Sequence, residues 1–328
     1  MISHMAFIEM PKSFESYTPP NDNEVVMGEI LAQEQLKPIS FEPGGKVICE
    51  DEGGKKFFMK RCSDTERGFY TSVFPEIRLR QLPFATLQLP EFRNIVSRNQ
   101  SFIFINYYEG NNYNSAWNEI SSLGYGGRGI VPDFASRVVS VVKDFSMVDP
   151  KSLASFNLPM FSFDSWLQGN LPLISEALTR RDIVNDGHIE RARELLDDSD
   201  LFSHSRIVLT NGDFYPRNLI DYPGNKVLVI DWEGRKDYVG DQRNVFFNYI
   251  ENHIAFFFAH MWGNYAFQRR LLRDAAEKFN IRPRDMQAAV LIKSLEQCLI
   301  WPDDLARRQA ETFVHALDIG FIDDLLRP

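Results

Sequence analysis

This chain has few cysteines, no long apolar run and no excess of basic residues. Its three cysteines, Cys49, Cys62 and Cys298, are scattered and form neither a Cys-x-x-Cys pair nor a zinc-binding spacing. We therefore expect reduced thiols and a cytoplasmic protein. No apolar run approaches the roughly 20 residues of a membrane-spanning helix. The first ten residues also contain no long apolar core of a signal peptide.

Acidic residues outnumber basic ones, 45 to 36. The formal net charge is −9 at pH 7, which argues against nonspecific binding to nucleic acid. This charge would suit a cationic small molecule, although many soluble proteins are equally acidic. The chain has 328 residues, 44 % of them hydrophobic, which is enough for two lobes and a large core.

The main candidates for catalytic and metal-binding residues lie between residues 207 and 233. Asp213 and Asn218 fall on one polar loop, and Asp231 follows the apolar run from Val227 to Ile230. Apolar runs before, within and after the stretch predict short strands, and Pro223-Gly224 predicts a turn. Such an arrangement holds polar side chains rigidly at the rim of a core.

These residue types suit phosphoryl transfer. That reaction needs an acceptor hydroxyl aligned with the terminal phosphate and cations that neutralise the phosphate oxygens. Asp213 would orient the hydroxyl and accept its proton, while Asn218 and Asp231 would hold Mg²⁺ through oxygen ligands. The alternative is that Asn211-Gly212-Asp213 forms a simple turn and Asp231 caps the end of a strand.

The same stretch resembles the catalytic and metal-binding loops of the aminoglycoside phosphotransferase and choline kinase family, which has a protein-kinase-like fold. The segment from Asn211 to Asn218 stands where that family has His-Gly-Asp-x-x-x-x-Asn, and Ile230-Asp231-Trp232-Glu233 stands where it has its metal motif. Asn211 replaces the usual His, which mainly supports the loop.

The resemblance implies ATP and Mg²⁺ as cofactors and a small-molecule hydroxyl as acceptor. Aminoglycosides are one such class of acceptor, and choline, ethanolamine or other small metabolites are the alternative. The implied fold is α+β and bilobal. An N-terminal nucleotide-binding lobe with a small antiparallel sheet would span residues 1–105, of which 1–22 are irregular. A mostly helical catalytic and substrate-binding lobe would span 106–328.

The pattern upstream fits the nucleotide-binding lobe. Strands are predicted at 39–41, 46–50 and 55–62, with turns at Gly44-Gly45 and at residues 51–54. In a kinase-like lobe the glycines cover the phosphates and Lys60 reaches the α- and β-phosphates. The alternative is a plain turn and a solvated strand lysine.

A lysine in this role needs a carboxylate partner on the next helix, and Glu66 and Glu76 compete. Ser63 and Glu66 have capping-box spacing, which gives Glu66 a structural role, and only six residues separate Glu66 from Lys60. Glu76 follows Pro75, a good first helical residue. We therefore predict that Glu76 pairs with Lys60.

Further candidates lie at the hinge and beyond the metal motif. Residues 101–106 predict a buried strand. The resemblance implies that the hinge follows it, where the backbone groups of Asn106, Tyr107 and Tyr108 would bind adenine. Glu233 would add a carboxylate near the metal or contact a cationic acceptor. Asp241 would brace the catalytic loop or cap a helix.

Two other functions compete with this interpretation. A protein kinase is disfavoured because His-Arg-Asp, Asp-Phe-Gly and Ala-Pro-Glu are missing. An inactive nucleotide-binding pseudokinase is disfavoured because Asp213, Asn218 and Asp231 are all present.

Overall fold

The computed structural model describes residues 20–42, 46–97, 100–108, 131–211, 214, 216–232, 246–261 and 264–327. The strands in this part of the chain are β1 (Lys37–Glu42), β2 (Lys46–Glu50), β3 (Lys56–Cys62), β4 (Leu87–Gln88), β5 (Phe92–Ser97), β6 (Gln100–Asn106), β7 (Ile207–Leu209), β8 (Leu219–Tyr222), β9 (Lys226–Val229) and β10 (Phe247–Tyr249). The α-helices are α1 (Pro20–Gln33), α2 (Asp64–Gly68), α3 (Phe74–Leu79), α4 (Val131–Phe145), α5 (Phe163–Ser165), α6 (Leu171–Arg180), α7 (Asp186–Leu196), α8 (Ile250–His260), α9 (Tyr265–Phe279), α10 (Pro283–Ile300), α11 (Asp303–His315) and α12 (Phe321–Leu326).

The largest sheet is five-stranded and antiparallel, in the order β1-β2-β3-β6-β5. Side chains alternate between its two faces, as the pleat of a strand requires. One face packs against α1 in a separate apolar cluster. That cluster contains Val26, Met27, Ile30, Leu31, Leu36, Val47, Cys49, Phe57, Met59, Phe102 and Phe104. The opposite face carries Lys60, which lies between Lys46 and Ile103 in the register of β3 with its two neighbours.

Helices α2 and α3 cover the face that carries Lys60. A π-helical turn, Phe69–Val73, joins them into one continuous segment, which we call the α2–α3 segment. Its aromatic residues belong to the main core of the protein. The Phe69 ring stacks on the rings of Trp232 and Phe246, with centroids 4.9 and 4.7 Å away. The segment therefore packs directly against the residue that follows Asp231.

A second sheet connects the two halves of the chain. The short strand β4 pairs in parallel with β9, and β9 pairs with β8 as an antiparallel hairpin. Strand β9 ends one residue before Ile230, so the chain that leaves the α2–α3 segment runs beside the strand that leads to Asp231. A third pair joins β7, which ends two residues before Asn211, to β10 later in the chain.

The C-terminal part is mostly helical, with α10 at its centre. Nearly the whole length of α10 is buried, and the helix packs against α8 and α11. Helix α4 buries one apolar face, made of Phe134, Val138, Val141, Val142 and Phe145. All three cysteines are buried thiols. Over the described ranges, the structure contains no helix with both the length and the apolar character that a membrane span needs.

Candidate active site

Lys60 lies at the centre of a buried ionic cluster. Its side chain extends from β3 beneath the sheet, and the residue is only 5 % exposed. The Nζ atom lies 2.5 Å from Oδ1 of Asp231 and 2.8 Å from Oε1 of Glu66. The Lys60 ammonium thus bridges helix α2, in the chain before residue 106, and the turn after β9, in the chain after it. A charge this deeply buried requires such partners, because desolvation without them costs several kcal/mol.

The prediction that Glu76 pairs with Lys60 is wrong, because the partner is Glu66. Helix α2 begins at Asp64, only two residues after β3 ends, so six residues are enough chain for Glu66 to reach Lys60. The capping interaction uses the Glu66 N–H, which donates to Oγ of Ser63 at 3.1 Å. The carboxylate remains available to Lys60, so the two roles that we treated as alternatives coexist. Glu76 instead binds Arg80 one turn away, at 2.6 Å.

Asp231 has a strained backbone and a partly accessible side chain. Its φ of +62° lies in the left-handed region, which Asp tolerates better than most residues. The next residue, Trp232, is fully buried and donates from Nε1 to the Val229 carbonyl at 2.8 Å. This anchor holds the turn on one side. The side chain of Asp231 is 28 % exposed, so the carboxylate binds Lys60 and also faces solvent. Strained residues of this kind are typical of functional sites.

Two asparagines, Asn211 and Asn218, are hydrogen-bonded to Ile230, the residue before Asp231. Nδ2 of Asn211 donates to the Ile230 carbonyl at 3.0 Å, and the Ile230 N–H donates to the Asn218 carbonyl at 3.0 Å. Both asparagines are buried, with exposures of 0 and 4 %. The role of Asn211 in supporting the loop stays a prediction. Asn218 ends a 3₁₀ turn, Pro216–Asn218, close to Asp231 in this arrangement.

Several predicted site residues lie outside the described residues. They are Gly44, Gly45, Asp213, Glu233 and Asp241. Their roles stay predictions.

The ionic cluster has a tyrosine beside it. Tyr70 follows Glu66 by one helical turn and is fully buried, with ring contacts to Phe74 and Phe92. Burial, with the neighbouring Glu66 carboxylate, raises the pKa of Tyr70 well above its ordinary value. Tyr70 therefore stays a neutral phenol at physiological pH.

The predicted hinge residues, Asn106, Tyr107 and Tyr108, lie where β6 ends. The N–H groups of Asn106 and Tyr107 donate to the carbonyls of Glu91 and Lys56, at 3.1 and 3.0 Å, and are used within the sheet. The Tyr108 ring meets the ring of Tyr222 edge-on at 4.9 Å. Burial and this neighbour raise the pKa of Tyr108 to about 12. Tyr108 thus contacts the β8–β9 hairpin.

The sequence analysis did not identify two apolar side chains near Lys60 as candidate site residues. Ile48 and Phe58 lie directly opposite each other in β2 and β3, and both are half-buried. Phe58 precedes Lys60 by two residues and therefore lies on the same face of the sheet. The strand alternation counted from Lys60 was the signal that could have identified them.

No family model and no curated protein sequence matches the chain. Several solved structures share its fold. An aminoglycoside phosphotransferase from Alicyclobacillus acidocaldarius matches with a TM-score of 0.58 and 11 % identity, over 95 % of this chain and 96 % of that one. A macrolide 2'-phosphotransferase from Brachybacterium faecium matches with a TM-score of 0.53 and 14 % identity, over 90 and 98 %. The ternary complex of streptomycin, ATP and APH(2")-IIa matches with a TM-score of 0.51 and 15 % identity, over 92 and 99 %.

At these identities the likeness shows the fold. The chain is similar over nearly its whole length to small-molecule phosphotransferases, and the predicted bilobal, kinase-like α+β fold is confirmed.

Proposed function

We propose that the protein is an ATP- and Mg²⁺-dependent phosphotransferase that moves the γ-phosphate to a hydroxyl of a small molecule. The observation that carries this proposal is the cluster of Lys60, Glu66 and Asp231 between the sheet and the helical part. A buried cation held by two carboxylates, one of them partly open to solvent, combines a phosphate-binding group with a metal-binding group. Kinase-like enzymes need this pairing for phosphoryl transfer.

The residues beside the cluster fit a magnesium ion. Mg²⁺ prefers oxygen ligands and usually takes one or two from the protein, with water and substrate phosphates completing its octahedron. Asp231 offers a carboxylate and Asn218 an amide oxygen, from two loops that are hydrogen-bonded through Ile230. When bound, the ion would neutralise charge on the phosphate oxygens.

In this account Lys60 binds nucleotide phosphates. Its ammonium has three donors, so it can contact a phosphate while Glu66 holds it from behind at 2.8 Å. The phosphate would compete with Asp231 for the lysine. Asp231 would then be free to bind the metal.

The face of the sheet around Lys60 would receive the base. Ile48 and Phe58 supply a half-buried apolar surface there, and Phe58 offers a ring for stacking. Because the N–H groups of Asn106 and Tyr107 are used within the sheet, the backbone of Tyr108 is the better candidate for recognition of the base edge.

The reaction would proceed by attack of the acceptor oxygen on the γ-phosphorus. The bond from phosphorus to the bridging oxygen of ADP breaks, and the hydroxyl proton passes to Asp213, which we propose as base and aligner.

Replacement Asp213→Asn should therefore lower turnover by roughly 10²- to 10⁴-fold, the usual contribution of general-base catalysis. Unfolding curves and MgATP affinity should stay close to those of the wild type. Full activity in this variant would exclude the proposed role.

The acceptor is best sought among small cationic alcohols, because the net charge is −9. Solved proteins of the same fold include a complex with streptomycin and ATP, which favours aminoglycosides as the first class to test. A screen should include aminoglycosides, macrolides, choline, ethanolamine and sugar amines. ADP release would identify hits, and mass spectrometry should show the acceptor heavier by one phosphoryl group. ADP release with no phosphorylated product would indicate hydrolysis instead.

A further inference from the structure

Asp144, near the end of α4, is buried and takes no part in the proposed chemistry. It is 1 % exposed, and its two carboxylate oxygens accept three consecutive backbone N–H groups. These donors are Ala85 at 3.1 Å, Thr86 at 2.5 Å and Leu87 at 2.6 Å. Charge-assisted hydrogen bonds of this kind are about twice as strong as neutral ones. The carboxylate thus fastens a backbone segment of the sheet-containing part onto a helix of the other part.

The fastened segment is also bonded to the strand that leads to Asp231. The Val227 N–H donates to the Thr86 carbonyl at 2.7 Å, and Leu87–Gln88 pairs in parallel with β9. Nζ of Lys226 donates to the Phe84 carbonyl. We call these contacts of residues 84–88 with Asp144 and with β9 the clamp.

The two chain segments joined by the clamp are each connected to one carboxylate of the ionic cluster. Along the chain, the segment follows α3 and so connects to the α2–α3 segment that carries Glu66. On the other side, β9 ends at Val229, two residues before Asp231. Lys60 can bridge Glu66 and Asp231 at 2.8 and 2.5 Å only if these two elements keep a fixed separation.

We propose that Asp144 is a positioning residue that holds Glu66 and Asp231 at the separation that MgATP binding requires. This inference rests on the proposed function. Without the clamp, the described contacts of the α2–α3 segment with the helical part would be mainly apolar packing, beside one hydrogen bond from Arg80 to the Ser152 carbonyl at 3.2 Å. Apolar packing is less directional than hydrogen bonds. Loss of the clamp should therefore affect nucleotide and metal affinity more than it affects overall folding.

The test compares three variants of the full chain. Asp144→Asn keeps the shape but turns one acceptor into a donor that faces backbone N–H groups. Lys226→Met removes another bond of the clamp and keeps the aliphatic stem. Asp285→Asn is the matched control, because Asp285 is also 1 % exposed and also accepts a backbone N–H, from Phe202 at 3.1 Å, but lies on α10 outside the clamp.

Calorimetric titration with MgATP should show weaker binding for Asp144→Asn by on the order of tenfold, the low end of the range for residues that support metal ligands. A smaller weakening is expected for Lys226→Met. Asp285→Asn should melt at a lower temperature and bind MgATP like the wild type. Equal loss of affinity in Asp285→Asn, or unchanged affinity in both clamp variants, would overturn the inference.

Hydrogen exchange separates this inference from the proposed function. In Asp144→Asn, amides in both the α2–α3 segment and β9 should exchange faster than in the wild type, whether or not the protein binds nucleotide. Unchanged exchange in either element would overturn the clamp. Failure of the wild type to bind MgATP, with the exchange result as expected, would refute the proposed function alone.

Discussion

Glu66 decides how Lys60 is held. Its carboxylate is fully buried and has Lys60 within 2.8 Å, whereas Glu76 lies on the partly exposed side of α3 with Arg80. These different surroundings give the two glutamates different expected effects on nucleotide binding, although both lie in the α2–α3 segment.

The substitution Glu66→Gln should weaken MgATP binding by on the order of tenfold, because the lysine loses the charge that orients it. Glu76→Gln is the control. It removes only an i,i+4 surface pair, worth about 0.3–0.5 kcal/mol, and should leave MgATP affinity unchanged. Calorimetric titration of both variants gives the comparison. If Glu76→Gln weakened binding more than Glu66→Gln, the assignment of the Lys60 partner would be refuted.

Glu251, far along the chain on α8, should make stability depend on pH. It is 3 % exposed, and burial raises its pKa to about 7 from an ordinary 4.5, with Asp285 adding to the rise and Ser205 and Arg282 opposing it. Because the folded protein holds this proton more tightly than the unfolded chain, the stabilisation is complete below pH 4.5. It is lost as the pH rises through 7, by at most about 3 kcal/mol at about 1.4 kcal/mol per pKa unit.

Glu251→Gln cannot ionise and should keep that stability at high pH. The free energy of unfolding should be measured in urea at pH 4.5 and at pH 8. The variant's value, compared with that of the wild type, should be higher at pH 8 than at pH 4.5. A difference between variant and wild type that is the same at both pH values would contradict the raised pKa.

At the scale of elements, the two faces of the large sheet should respond differently to mutation. Ile30 on α1 is 1 % exposed and packs on the face opposite Lys60. Ile30→Ala should cost about 2–5 kcal/mol of stability, as is usual for a buried Ile truncated to Ala, with MgATP affinity unchanged. Val25→Ala on the same helix is the control, since Val25 is 55 % exposed. Denaturant unfolding and MgATP titration together test this separation, which a loss of nucleotide affinity in Ile30→Ala would contradict.

Elements with a strong local pattern could be predicted from the sequence. The predicted strand at 46–50 matches β2, and the strand predicted after the turn at 51–54 begins one residue before β3. Strand β4 could not be predicted in this way. It is two residues long, and its partner β9 lies about 140 positions away, so neither periodicity nor a turn indicates the pairing.

The site was predictable to a similar extent. Lys60 and Asp231, which the sequence analysis assigned to one site, are in contact, and their roles there stay predictions. The choice of Glu76 failed because cap spacing was taken to exclude a side-chain role for Glu66, whereas backbone and side chain of one residue can serve separate partners. Ile48 and Phe58 were missed because a half-buried apolar residue in a strand has no distinguishing pattern.

At the scale of the whole molecule, the main core is shared by both parts of the chain. The aromatic residues of the α2–α3 segment pack with Trp232 and Phe246, and the same cluster continues into α8 and α10. The ionic cluster of Lys60, Glu66 and Asp231 therefore lies where packing from both parts meets. A ligand that binds there should stabilise the protein as a whole, by about 2.7 kcal/mol at a concentration 100 times its Kd.

Titration of the wild type and of Lys60→Met with MgATP shows whether the cluster of Lys60, Glu66 and Asp231 is a nucleotide site. Calorimetry should show one MgATP bound per wild-type chain, in a manner that depends on Mg²⁺, and binding weakened by at least on the order of tenfold in Lys60→Met. Failure of the wild type to bind MgATP, or equal binding by Lys60→Met, would contradict the assignment of this cluster as a nucleotide site.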